Sequence, residues 1–502
     1  MFWPMRGRAL RAALGIVSIA GLVSCSGPSK PKVTRSSLSS DFSAGSTDSS
    51  GSESSAATTS TTAPVALSAE LCAAFVADRD RRKANAAVDI ATLTATELRA
   101  RFDAANTSLG AMISAADGEL QTALEAQLAA QQQGQAAVEK AWGDTGEALA
   151  AEAEAAGFHD ISSYVTRDGV TLPDGTAVTL ASISRLAVRN LGRLAVGCDD
   201  QKLGVRPDEH DPAPPDGSII FSDAGTSTLL STLDIVQTDG SGRLQLLTPG
   251  SEGRYEAAVG HDGAVAFVVA DKTGTPKLMQ ASSLDALNEA EDLNLAGSCP
   301  AWAPDRHVLV ASVVDDVAQR GLYLVDALGR VTSVDLPFPK LDVGCAVFAS
   351  ADALLVSRTV FGGGVELWRV PLPGASADPT VTASKVFARD DCNGVVGGAS
   401  PDGASAVVAF SCNDVRDNGV HLVDLSTGRD THVATAIASS PRFSPDGEWL
   451  VFAACPLGAD TTTDLRVTVM RTDGSGSRQI VTDQTTWPSW LPSGVGGAAP
   501  RT

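Results

Sequence analysis

Apolar and polar residues follow two different periods along this chain, and the change of period divides it. After an apolar start, residues 26–65 hold almost no large apolar side chains. Such a segment buries too little surface to offset the entropy of ordering it, which predicts a flexible tether. From Leu67 the chain turns to Ala, Glu, Gln and Leu, good helix formers. Thr94 and Glu97 fit a capping box. Behind them Leu98, Phe102, Leu109 and Met112 lie on one face of a 3.6-residue period. Asp117-Gly118 breaks that pattern, and Leu120, Leu124, Leu128, Val138 and Trp142 resume it. Asp144 and Glu147 offer a second box-like start. A turn is read at 171–177 and a last helix at 182–194. The breaks are short, which predicts antiparallel neighbours. The reading is three or four helices in a small bundle over residues 66–205.

Beyond residue 206 the period shortens. Short β-branched runs between Gly, Asp, Pro and Ser clusters predict many strands. These runs repeat. SPRFSPDGEWLVF (440–452) is echoed by GASPDGASAVVAF (398–410), and more weakly around 301–310, 347–356, 259–267 and 214–221. The turn aspartates are Asp216, Asp262, Asp305, Asp352, Asp402 and Asp446, spaced 46, 43, 47, 50 and 44 residues apart. Four strand-like runs per unit on that period predict a six-bladed β-propeller over 206–494. TDGSG recurs at 238–242 and 472–476, where third and fourth strands would meet. The first unit lacks an aromatic inner strand. WPSWLPSG (487–494) supplies one, so a late strand is expected to close the ring and remove its open edges. Residues 495–502 read as a disordered tail. The fold class is therefore multidomain, an α-helical bundle followed by an all-β propeller.

The Pro-Asp-Gly turns, the strand after each, and WPSWLP resemble the TolB-like propeller family over roughly 206–494. The resemblance implies a six-bladed envelope module that binds proteins at its channel mouth. This chain departs from that family in its helical module and its N-terminus, so only the propeller module carries over.

The N-terminus reads as an address. Arg6, Arg8 and Arg11 precede a short apolar run, Ala12–Val23, too short to span a bilayer. Leu22-Val23-Ser24-Cys25 resembles the bacterial lipobox. That resemblance implies that signal 1–24 is removed, that Cys25 is acylated, and that 25–65 tethers the protein to membrane lipid at the extracytoplasmic face of the cell membrane. Lys30, Lys32 and Arg35 would lie beside the headgroups, as lipid contacts or as a solvated cluster.

Eight cysteines fit an oxidising compartment. Cys72 and Cys198 bracket the helical module, as a staple or as two buried thiols. Cys392 and Cys412 lie ten residues either side of Asp402, facing each other across the hairpin folded there, which predicts a disulfide. Cys299 and Cys345 hold equivalent places in neighbouring units. A bridge there requires a Cα separation of about 5.5 Å, which the sequence leaves open. Cys455 remains as a buried thiol. No CxxC pair suggests zinc.

Net charge is -21, and 206–494 carries 37 acidic against 19 basic residues. That argues against a nucleic-acid partner, though not against a small basic patch, and it favours a cationic partner. No GxSxG elbow, P-loop, GxGxxG or HExxH is present. The six histidines are scattered. The expectation is therefore a non-enzymatic binding or scaffold protein without a cofactor, its propeller facing a protein or envelope ligand. Two other readings stand beside it. One is a Ca²⁺-dependent hydrolase or lactonase whose turn aspartates ring the channel. The other is a sensor that passes propeller occupancy to the helical module.

Overall fold

The computed structural model describes most of residues 67–198 and 214–492. Loops at 172–176, 179–186, 224–231, 248–252, 271–275, 314–319, 361–363, 373–381, 456–464 and 482–484 and a few single residues lie outside it. The signal, Cys25, the tether and the tail also lie outside the described residues.

Five helices form the first module: α1 (Ala69–Ala86), α2 (Ala95–Ala115), α3 (Gly118–Ala141), α4 (Glu147–Ala155) and α5 (Ile161–Val165). Residues 190–195 are also helical. α2 starts on Thr94, whose hydroxyl accepts from the Glu97 amide while the Glu97 carboxylate accepts from the Thr94 amide, a complete capping box. Arg99 meets Glu139, and Asn106 meets Gln135 and Gln131, so α2 and α3 run antiparallel. The Asp144–Glu147 box does not form: α4 begins at Glu147 with Gly146 as its N-cap and no side-chain cap. Trp142 is the reason. Its indole donates to the Leu93 carbonyl at 3.1 Å, and a Cβ on Gly146 would meet the ring at 2.4 Å. The chain must pass over that ring before a helix can start. Leu98, Phe102, Val138, Trp142, Leu149 and Ile161 fill one core, and Leu71, Phe75, Leu109, Met112, Leu124, Leu191 and Leu194 a second. Cys72 and Cys198 are disulfide-bonded, tying the ends of the module together.

Six four-stranded antiparallel sheets follow. Blade 1 joins Ser218–Asp223, Thr232–Gln237 and Leu244–Gln245 to the late strand Thr485–Trp490, which lies innermost. The other inner strands, blades 2 to 6, are Gly253–Val259, Ser298–Trp302, Val343–Ser350, Cys392–Ala399 and Ile437–Phe443. The second strand of blade 6, Trp449–Cys455, is buried throughout and reads as a continuous apolar run, because it packs against neighbouring blades on both faces. Meander geometry sorts the loops. First-to-second and third-to-fourth connections leave one end of the ring, the turn face. Second-to-third connections and links between blades leave the other, the link face.

The two modules touch on the link face. Arg82 of α1 donates to the Asn413 carbonyl at 2.7 Å and to Asp78 at 2.8 Å, and Arg81 holds the other Asp78 oxygen at 2.6 Å. Val415, in the second-to-third connection of blade 5, inserts into the helical core beside Leu71 and Phe75. Burial works to raise Asp78, and Arg82 and Arg81 outweigh it, leaving the carboxyl below its ordinary value.

Candidate functional site

The ring axis is built by one irregularity repeated six times. Every inner strand shifts register near its middle: Tyr255/Ala257, Ser298/Ala301, Val343/Ala346, Val396/Gly398, Ser439/Arg442 and Thr486/Ser489. These are β-bulges, which re-aim side chains. Glu256, Cys299, Ser440 and Trp487 take φ of 59°, 52°, 50° and 56° there, the left-handed region that non-glycine residues rarely occupy. Such strained positions cluster at functional centres. In blade 5 the place falls to Gly397, where a Cβ would lie 1.8 Å from the Pro441 carbonyl oxygen.

The bulges bring Glu256, Cys299, Ser440, Arg442, Trp487 and Pro488 around a cavity of about 10 Å³, room for about one water molecule. Cys299 and Cys345 are disulfide-bonded across blades 3 and 4, with Cα atoms 5.5 Å apart. The Cys299 amide donates to Glu256, and the Arg442 guanidinium to the Gly397 carbonyl. Burial pulls Arg442 down to about 10 while Glu256 acts the other way, so it stays charged at neutral pH. Sequence reasoning missed this ring. Its signal was a residue-proline pair recurring in the inner strands: Cys299-Pro300, Ser440-Pro441 and Trp487-Pro488.

The six turn aspartates do not enter the channel. All six are exposed on the turn face. Asp262, Asp402 and Asp446 accept from the amides of Ala264, Ala404 and Glu448 respectively, each bonding its own turn. The same face carries the aspartates of the third-to-fourth turns, Asp239 and Asp473 exposed, Asp326 and Asp424 half-buried. There the Ser426 hydroxyl and the Thr427 and Ser426 amides lower Asp424 to about 2. Among the described residues, no three His, Cys, Asp or Glu side chains are placed to hold a metal ion.

One histidine on this face has the look of a catalytic dyad. His307 Nδ1 lies 2.5 Å from Asp262, and Nε2 lies 3.0 Å from the Gln280 amide nitrogen. With Nδ1–H given to the carboxylate, Nε2 accepts from Gln280 and is occupied. The arrangement stitches blades 2 and 3.

On the link face, the hairpin of blade 5 stacks His421 on His432, ring centroids 4.3 Å apart and planes 4° off parallel. The pair lies eleven residues apart in sequence and is joined by strand pairing, which a search for i, i+4 ligands does not see. Beneath it Cys392 and Cys412 are disulfide-bonded.

No protein-family profile matches the chain, and no curated protein does. Among solved structures it is similar to TolB from Acinetobacter baumannii, at 17% identity over 64% of this chain and 78% of that one, with a TM-score of 0.43. A putative TolB from Agrobacterium tumefaciens gives 12% identity over 56% and 100%, with a TM-score of 0.39. A puromycin hydrolase gives 14% over 55% and 54%, with a TM-score of 0.35. Likenesses this distant decide nothing about activity. Among the described residues, no helix is long and apolar enough to cross a membrane.

Proposed function

We propose that this chain is a lipid-anchored, extracytoplasmic scaffold that presents the turn face of its propeller to a cationic protein or envelope ligand. The observation that carries the reading is the use of the two faces. The helical module docks on the link face at Asn413 and Val415. The turn face carries the exposed aspartates, several held ionised by their own turns. Such a face steers a positive partner and favours encounter. The lipobox resemblance at Cys25 supplies the anchor. A calcium-dependent hydrolase draws less support, because turn aspartates bonded to their own loops are not aimed at a common ion.

Crosslinking in the native envelope, followed by mass spectrometry, tests the reading. Cross-links should concentrate on the turn face and weaken in a variant carrying Asp402→Asn, Asp424→Asn and Asp446→Asn. Cross-links confined to the link face would overturn it, as would reproducible turnover of lactone or peptide substrates by the pure protein. The anchor is tested separately. Cys25→Ser should move the protein from the membrane to the soluble fraction, and an unmodified N-terminal peptide in the membrane-bound wild type would refute it.

A further inference from the structure

We propose that the stacked His421–His432 pair is an acid-sensitive latch that holds the helical module on the propeller. The inference stands apart from the identity of any partner on the turn face.

His421 is almost fully buried, and each of its ring nitrogens faces an acceptor. Nδ1 lies 2.8 Å from Asp430 Oδ1, and Nε2 lies 3.0 Å from the Asp417 carbonyl oxygen. A carboxylate and a carbonyl cannot donate. Both contacts are therefore hydrogen bonds only when each nitrogen carries a hydrogen, in the imidazolium form. His432 lies flat against that ring. Its Nε2 is 3.0 Å from the Ala434 carbonyl oxygen, so it donates there, and one hydrogen suffices. In that form the stack holds one proton more than two neutral rings.

Every element around His421 contributes a charge or a ring. Arg389, at the end of the outer strand of blade 4, reaches Asp391, Asp417 and Asp430 at 2.9, 3.0 and 2.9 Å. The Phe410 ring, from the second strand of blade 5, meets His421 edge-on at 4.8 Å. Asp414 and Arg416 pair within the connection itself. Burial, then the charge of His421, hold His432 below its ordinary value, while Asp417 and Asp430 act the other way without prevailing. Asp430 itself is lowered, so it stays ionised through the mildly acidic range: burial opposes this, and His421 and Arg389 outweigh burial.

The connection gripped by His421 is the one that holds the helices. Asn413 gives its carbonyl to Arg82, Val415 fills the helical core, and Asp417 gives its carbonyl to His421. When His432 takes a proton, two cations face each other in parallel. The repulsion is relieved when His421 leaves the Asp417 carbonyl, and the 413–418 connection loses its brace. Protonation of His432 and release of helix α1 are then linked.

Hydrogen–deuterium exchange on the full chain tests this, with rates corrected for intrinsic pH dependence. Between pH 7.5 and pH 5.0, protection of 413–418 and of Ala69–Ala86 should fall together. The inner strands of blades 2 and 3 should hold. His432→Gln keeps an amide donor and removes the titration, so its protection at pH 5.0 should equal that at pH 7.5. Unchanged protection in the wild type overturns the proposal, and so does an equal loss in His432→Gln. Should that variant fail to fold, NMR titration of the wild-type ring decides. A His432 that titrates at or above its ordinary 6.5 would carry no cost on charging and would refute the latch.

Discussion

Replacing Arg82 by Met puts a number on the joint between the modules. The substitution keeps a long apolar stem and removes a charge that is 6% exposed. Two bonds go: Nε to Asp78 at 2.8 Å and Nη1 to the Asn413 carbonyl at 2.7 Å. Breaking a buried ion pair from one side costs about 3–5 kcal/mol, because the abandoned charge stays buried. Asp78 keeps Arg81 at 2.6 Å, which places the expected loss near the lower end, about 3 kcal/mol. For a module of this size that lowers the melting temperature by about 10 °C. The double variant Asp78→Asn, Arg82→Met leaves no buried carboxylate behind and should lose about 1–2 kcal/mol, less than Arg82→Met alone. Urea unfolding followed by near-ultraviolet circular dichroism, with calorimetry alongside, gives both values. A cost for Arg82→Met under about 0.5 kcal/mol, or a double variant as unstable as the single, would refute the reasoning. The pH dependence has a definite sign. Asp78 is lowered by folding, so its contribution is complete above its ordinary 3.8 and is lost as pH falls through its folded value.

Three further predictions concern other parts of the molecule. Gly397→Ala would set a methyl 1.8 Å from the Pro441 carbonyl oxygen and should destabilise the propeller by about 3 kcal/mol, read from urea denaturation; a neutral result would show that the axis is loosely packed. Cys72–Cys198 spans 126 residues and Cys392–Cys412 spans 20, so chain entropy assigns them about 5 and about 3 kcal/mol. Removing each pair as Ser should therefore cost more at the first, and the reverse order in denaturation midpoints would contradict it. Ser426→Ala should raise Asp424 from about 2 toward 3.8, as read by carboxyl NMR; the wild-type stabilisation from this group should be complete above 3.8 and fade as pH falls through about 2.

The parts of this molecule that were legible in sequence are those written in local chemistry. The turn aspartates fall on a regular period because each blade is one meander, and WPSWLP sits where an inner strand was missing. The Thr94–Glu97 box could be read because both partners lie within one helical turn. Asp144–Glu147 misled because a distant packing demand, the Trp142 ring against Gly146, sets where α4 begins. The axial ring stayed hidden because its left-handed residues share no residue type. Glu256, Cys299, Ser440 and Trp487 are alike only in position. The His421–His432 stack depends on a register shift between Val420 and His421, which no linear pattern announces.

Blade 1 also makes ring closure the pairing of the widest sequence separation. Ser218–Asp223 leaves the ribosome early, with Ile219, Ile220 and Phe221 all fully buried in the finished ring. Its inner neighbour Thr485–Trp490 arrives more than 260 residues later. Until then one edge of that strand stands open, a template for mispairing with another chain. A product halted anywhere before residue 485 keeps this exposed edge, whereas a finished chain covers it. The pairing that closes the ring is therefore the one between the most distant strands of the sequence, and it forms last.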